Sequence, residues 1–247
     1  MHQQDDAINV ENDDNSVGYT SVVDYDEEDG VYASFNECNV LKKLKENDPA
    51  IIGLYVTFFG DEELRFFNSI DWKEDGDCTS NNTHLKRLYT TYDGSSDDDG
   101  IHYILGEEGH NLPTRQKLQD FFSCIYRNSS IKEIIISEMK IDGDFGGGLI
   151  EGLSGHTSLR RLQIGYAGIG SIGYRAIGNV LKHPESKLKE LRLPGCQLDI
   201  EGLSILCNAL LGNSKLKKLY LQKNNITDEG LDVLVSSLCG SSVKALD

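Results

Sequence analysis

Histidine, cysteine and carboxylate side chains are the groups best able to hold a metal or move a proton, and this sequence carries them in loose order. Its six histidines stand at positions 2, 84, 102, 110, 156 and 183, without the spacing of zinc ligands. His102 and His110 flank Glu107 and Glu108, in surroundings that read as a solvated loop. Ser95-x-Asp97-x-Asp99-Gly100 has part of a calcium-loop pattern. An EF-hand needs an acid at the first place and a bidentate Glu at the twelfth, where this chain has Ser95 and Gly106. Gly146-Gly147-Gly148 is followed by no Gly-Lys-Ser/Thr, so it is not a phosphate loop. No Ser-His-Asp or Cys-His arrangement stands out. The six cysteines, at 38, 78, 124, 196, 207 and 239, form no C-x-x-C pair and read as reduced, mostly buried thiols. The expectation is a chain that is not an enzyme, with no catalytic residue, no metal and no cofactor.

What the elements must position instead is a surface, and the rear half shows how. Four segments share one pattern: Ile131-Lys-Glu-Ile134-Ile-Ile136, Leu159-Arg-Arg-Leu162-Gln-Ile164, Leu188-Lys-Glu-Leu191-Arg-Leu193 and Leu216-Lys-Lys-Leu219-Tyr-Leu221. Their starts lie 28, 29 and 28 residues apart. Each continues to a further aliphatic, Ile141, Ile169, Leu198 or Ile226, in the pattern L-x-x-L-x-L-x-x-[N/C]-x-L. Met139, Ala167, Cys196 and Asn224 hold the bracketed place, where Asn can bond turn amides and Cys can pack as a small apolar group. The alternation predicts a short strand with one face inward. After it, Thr227-Asp228-Glu229-Gly230 opens a helix with a hydroxyl cap and two first-turn acids, and Leu231, Leu234 and Leu238 form its inner face. Asp199 to Asn213 reads the same way, with Leu203, Leu206 and Leu210 inward. One strand–helix unit cannot bury its own apolar face, so units must stack.

This pattern and period resemble the ribonuclease-inhibitor-like class of leucine-rich repeats. That family includes ribonuclease inhibitor, the Ran GTPase-activating protein and the sensor regions of nucleotide-binding immune receptors. The resemblance is strong over 131–247. It implies an α/β fold, a right-handed solenoid shaped as a horseshoe, with parallel strands on the concave face and helices on the convex face. Upstream the repeat is degenerate. Leu85-Lys-Arg-Leu88-Tyr-Thr90 has the strand pattern, an acidic insertion near 93–112 interrupts it, and Pro113 to Tyr126 supplies a helix with Leu118, Phe121, Phe122 and Ile125 inward. Ile51-Ile-Gly-Leu54-Tyr-Val56 reads as the first of six strands, with a helix over 61–70. Ser34-Phe35-Asn36-Glu37 fits a capping box for a helix over 34–48 that covers that strand.

The strand residues that point away from the core are the binding candidates. The third place of each unit reads Arg87, Glu133, Arg161, Glu190 and Lys218, alternating in sign so that the charges can pair with one another. The fifth reads Tyr89, Ile135, Gln163, Arg192 and Tyr220, and Tyr166 and Gln222 lie just beyond the strands. Tyr and Arg are the types enriched where interfaces hold tightest. The expected function is a non-enzymatic module that binds a protein on this concave surface. The resemblance offers two alternatives: a GTPase activator like the Ran activator, or an inhibitor of a basic enzyme like ribonuclease inhibitor.

Charge narrows the partners. The net charge of −16 is concentrated at the front: 13 acids and 3 bases over 1–48, 14 and 7 over 49–130, 13 and 14 over 131–247. The acidic front half argues against nucleic acid or an anionic membrane as main partner. Residues 1–33 read as a disordered acidic tail and 34–247 as the repeat domain. Met1-His2-Gln3-Gln4-Asp5-Asp6 has neither a basic nor an apolar leader region, so a cytoplasmic, alternatively nuclear, location is expected. Val243-Lys-Ala-Leu246-Asp247 begins a further repeat, so missing sequence, a partner or self-association is expected to cover that end.

Overall fold

A segment such as Leu188-x-x-Leu191-x-Leu193 can satisfy its backbone only by pairing with segments like itself, and the fold follows from that. The computed structural model describes residues 31–34, 39–57, 67, 69–73, 76–91, 115–137 and 143–247. Its strands are β1 (Val31–Ser34), β2 (Ile51–Thr57), β3 (Arg87–Thr91), β4 (Glu133–Ser137), β5 (Arg161–Gly165), β6 (Glu190–Arg192), β7 (Lys218–Tyr220) and β8 (Ala245–Leu246). They form one sheet in sequence order, and every pairing is parallel. Between them run α1 (Val40–Lys45), α2 (Asp77–Ser80), α3 (Arg115–Arg127), α4 (Gly143–Glu151), α5 (Gly170–Lys182), α6 (Ile200–Leu210) and α7 (Asp228–Leu238).

The register keeps equivalent repeat positions side by side. Leu88, Ile134, Leu162, Leu191, Leu219 and Leu246 are successive partners across β3 to β8. From Leu88 to Leu219 these side chains are fully buried and join helix residues such as Ile125, Ile177 and Leu206 in one continuous core. The helices start as the sequence implies: Asp199 and Thr227 accept hydrogen bonds from Gly202 N (2.8 Å) and Gly230 N (3.2 Å). Leu118, Phe121, Phe122 and Ile125 are the buried face of α3. The three glycines at 146–148 belong to α4. A Cβ at Gly147 would lie 2.8 Å from the Ile169 carbonyl oxygen and the Ile172 Cβ, so glycine there lets α5 come close.

Two kinds of asparagine bind neighbouring units together. At the bracketed place, Asn224 Nδ2 donates to the Leu193 carbonyl of the preceding unit (2.7 Å) and its Oδ1 accepts from Leu198 N (3.1 Å). Cys196 does more than the apolar packing expected of it, because its thiol donates to Ile164 O at 2.9 Å. Three residues before a unit's first aliphatic stand Asn82, Asn128 and Asn213. Each accepts from the two amides entering the strand, as Asn213 Oδ1 does from Lys215 N and Leu216 N (2.9 and 2.8 Å).

Several expectations need correction. The sheet starts at Val31, before the boundary placed at Ser34, because Val31–Ser34 pairs with β2, which is therefore the second strand. Ser34 is a strand residue. The helix expected over 34–48 runs from Val40 to Lys45 with Asn39 at its N-cap and no side-chain cap bond. Leu231, expected inward, is 48% exposed, whereas its counterpart Leu203 in α6 is buried. Leu203 is covered by α7, since a Cβ on Gly230 would come within 2.9 Å of it, whereas among the described residues no helix packs over Leu231 in the same way. The expected helix over 61–70 lies mostly outside the described residues, though Phe67 is buried against Trp72 and Phe121 (centroids 5.0 and 5.4 Å). The 93–112 insertion and residues 1–30 also lie outside them.

Two measurements check this account. Leu191→Ala removes a fully buried side chain and lowers stability by about 2–5 kcal/mol, while Leu211→Ala, at an exposed leucine, changes it by under about 0.5 kcal/mol. Urea midpoints of the two variants should separate accordingly. His156 is buried, and burial, followed by the charge of Lys132, lowers its imidazole from 6.5 to about 4. A folded-state value below the unfolded one means the fold loses stability as pH falls from 6.5 toward 4, by about 3 kcal/mol at 1.36 kcal/mol per pH unit. Urea midpoints at pH 7.5 and 4 should show that loss in the native chain and a smaller one in His156→Gln.

Candidate functional site

The parallel register turns side chains that face away from the core into ladders about 4.8 Å apart. At the third place the ladder is Arg87, Glu133, Arg161, Glu190 and Lys218. Its opposite charges meet. Glu133 pairs with Arg87 (3.2 Å) and Arg161 (2.8 Å). Glu190 pairs with Arg161 (3.4 Å), Arg192 (2.5 Å) and Lys218 (3.3 Å). Burial alone would raise the Glu190 carboxyl, but the hydrogen bond from Arg192 and the charges of Arg161, Arg192 and Lys218 outweigh it and hold it below the usual carboxylate range. Every charge of this ladder is thus paired within it, three bases sharing two acids.

At the fifth place the ladder is Tyr55, Tyr89, Ile135, Gln163, Arg192 and Tyr220. Tyr55 and Tyr89 stack with ring centroids 4.6 Å apart and planes 7° from parallel. The Arg192 guanidinium lies 4.6 Å from the centroid of the Tyr220 ring. Just past the strands, the eighth place of three successive units has positive φ: Tyr166 (53°), Gly195 (61°) and Lys223 (57°). A Cβ at Gly195 would come within 2.8 Å of the Tyr166 ring. Glycine there leaves room for Tyr166 to lie across the next turn, and Lys223 Nζ donates to its hydroxyl at 2.9 Å. Gln222 donates to Asp247 Oδ2 at 2.6 Å.

The expected binding set therefore divides. Tyr166 and Lys218 are exposed, and Arg87, Arg161, Gln163, Arg192, Tyr220 and Gln222 are half-buried. Tyr89, Glu133, Ile135 and Glu190 are buried, which corrects their assignment to an open surface. The two glutamates lie beneath the long cationic side chains that neutralise them, and Tyr89 beneath the Tyr55 stack. Tyr55 was missed, although the repeat frame starting at Ile51 puts it in the fifth place. Lys223 follows from its eighth place but gains weight only through its bond to Tyr166. Among the described residues, no group of three or more His, Cys, Asp or Glu could hold a metal ion. None of their helices is long and apolar enough to cross a membrane.

The repeated strand–helix unit and its bracketed Asn/Cys have the form of leucine-rich repeats. The family model described as Leucine Rich repeat matches residues 212–235, which run from the turn before β7 into α7. No curated protein matches the chain. Among solved structures, the tropomodulin C-terminal domain of Caenorhabditis elegans is 10% identical, covers 81% of this chain and 89% of its own, and has a TM-score of 0.44. A structure titled Leiomodin-1 Actin-Binding Site 2 is 16% identical, covers 81% and 86%, and has a TM-score of 0.40. Likeness at this level says nothing of what this chain binds.

The charge network carries a prediction. Glu190→Gln leaves three cations without their shared counter-ion and lowers stability by about 1–3 kcal/mol at pH 7. Because the Glu190 carboxyl is depressed, its contribution is present above about 4.5 and lost as pH falls through the folded-state value. The gap between the native chain and Glu190→Gln in denaturation midpoint should therefore close in acid.

Proposed function

We propose that this chain is a non-enzymatic protein-interaction module whose sheet face, the concave side of a right-handed horseshoe of the ribonuclease-inhibitor-like kind, binds a protein partner. The curvature reading is supported by the two spacings in each unit. Paired strands sit about 4.8 Å apart and packed helices about 8–10 Å, so the array bends with the sheet inside. The general right-handedness of crossovers between parallel strands supports the hand.

The observation that carries the binding reading is the patch where the fifth and eighth ladders meet. Tyr220 under Arg192 and Tyr166 beside Lys223 give two aromatic–cation pairs on a rigid sheet edge, all partly or fully accessible. Glu190 holds Arg192 in place and costs the patch little freedom on binding. Such a patch suits a partner surface with an apolar contact and an anionic group.

The test uses the chain as immobilised bait, with Arg192→Ala and Tyr220→Ala as parallel baits whose folding is confirmed by circular dichroism. Partners retained by the native chain and lost by both variants, then titrated pairwise, should show weakening by about 30-fold or more, equivalent to about 2 kcal/mol. Equal retention on all three baits refutes the assignment to this patch.

A further inference from the structure

One residue before the third-place ladder runs another. The second place of each unit from β3 onward holds a base: Lys86, Lys132, Arg160, Lys189, Lys217 and Lys244. Their backbones are bonded in series. Lys132 N donates to Lys86 O, Arg160 N to Lys132 O, Lys189 N to Arg160 O, Lys217 N to Lys189 O and Lys244 N to Lys217 O, at 2.7–2.8 Å. Each base stands immediately before its strand, so the six line the rim of the sheet where the strands begin. All are half-buried or exposed.

The cations of the third place are paired with Glu133 and Glu190. Those of the second place are not: among the described residues, none of the six is in an ion pair. Lys86, Lys132 and Lys217 instead donate to the carbonyls of Thr83, Ser129 and Ser214, three residues back. Each ammonium has three protons, so these bonds anchor it over the rim and leave donors to spare. The like charges crowd one another. The Lys132 ammonium is lowered by burial and then by the charges of Lys86, Lys187 and Arg160. An open groove of about 500 Å³ runs between the second and third places of the units of β3 to β6. An anion laid in it would relieve the crowding and meet side chains already held in line.

Spacing selects the form of that anion. Four successive bases of the ladder stand about 0, 4.8, 9.6 and 14.4 Å along the rim. On an α-helix, acids spaced by three, four and three residues share one face and stand about 0, 4.5, 10.5 and 15 Å along it. They stay within about 1 Å of the bases throughout. An extended chain puts same-side acids about 6.8 Å apart and is about 6 Å out of step by the fourth. Chemistry selects the class of partner. Single-stranded nucleic acid is held by aromatic side chains that stack on its bases as well as by charge, and the groove is lined by Lys, Arg and Glu alone. The net charge of −16 also repels a long polyanion wherever it passes beyond the rim.

We propose that this rim is a docking site for an acidic helix of a partner protein, whose carboxylates, about one per turn, meet Lys86, Lys132, Arg160 and Lys189. The site is separate from the aromatic–cation patch of Tyr166, Arg192, Tyr220 and Lys223, and neither depends on the other. The contact is electrostatic and open to solvent, so it weakens as added salt shortens the screening length from about 8 Å to about 3 Å.

The test is fluorescence anisotropy with two labelled, alanine-rich peptides of about 16 residues and identical composition. One has four glutamates spaced by three, four and three residues; the other has them at every second residue, on one side only if the peptide is extended. The unaltered chain should bind the first at least about fivefold more tightly than the second at low salt, and lose it near 1 M NaCl. No binding of the first peptide, equal binding of both or preference for the second overturns the proposal. A single-stranded oligonucleotide with four phosphates that binds more tightly than the first peptide also overturns it. K86Q/K132Q/R160Q, with its folding confirmed by an unchanged urea midpoint, should weaken the first peptide at least about tenfold. K42Q/R175Q/K182Q removes as much charge from helix surfaces and should leave it bound as before; equal losses in the two variants would mean that net charge, and not the rim, holds the peptide.

Discussion

Every interior strand of this sheet takes half of its backbone partners from the unit before it and half from the unit after. That dependence governs the rest. Strands of three to five residues cannot hold together alone, and their pairing in parallel keeps the same repeat position in line from β3 to β7. Leucine therefore falls on leucine in the core, and whatever occupies the other face falls on its own counterpart. Asn224 and Cys196 reinforce the same dependence by bonding to carbonyls of the preceding unit.

Register converts a few substitutions per unit into whole surfaces. Alternating acid and base at the third place yields a network that closes on itself, with Glu190 serving three cations. A constant base at the second place yields a line of like charge that nothing in the described sheet answers. Mixed residues at the fifth and eighth places yield a patch with aromatic and cationic character. The second place, the third place and the fifth and eighth together thus have three electrostatic characters, and the difference lies in how the columns are filled.

Most of this architecture was legible because it is periodic. The strands β4 to β7, the helix caps at Asp199 and Thr227 and the pairing of the third-place charges follow from spacing alone. The missing parts are those where a neighbour decides. Val31–Ser34 is too short to read as a strand until β2 stands beside it. Leu231 and Leu203 have the same place in the same pattern, and what separates exposed from buried is that a described helix packs over Leu203 alone. Glu133 and Glu190 read as surface acids, yet long cationic neighbours cover them. Asn82, Asn128 and Asn213 carried a signal that was present but unused: an asparagine three residues before a unit's first aliphatic. Tyr55 needed only the repeat frame carried one strand further upstream.

The spacing of the units, 28, 29 and 28 residues, has a consequence for how such a chain can change. The one extra residue, between Leu159 and Leu188, leaves the β5–β6 register intact, so it is taken up outside the strands. An insertion inside a strand would slide one column against its neighbour and scramble every surface at once. Change in length is thus confined to the connections: the one extra residue between β5 and β6 and the much longer stretch between β3 and β4 both leave the register intact, and entire units can be duplicated or excised because each junction resembles the next.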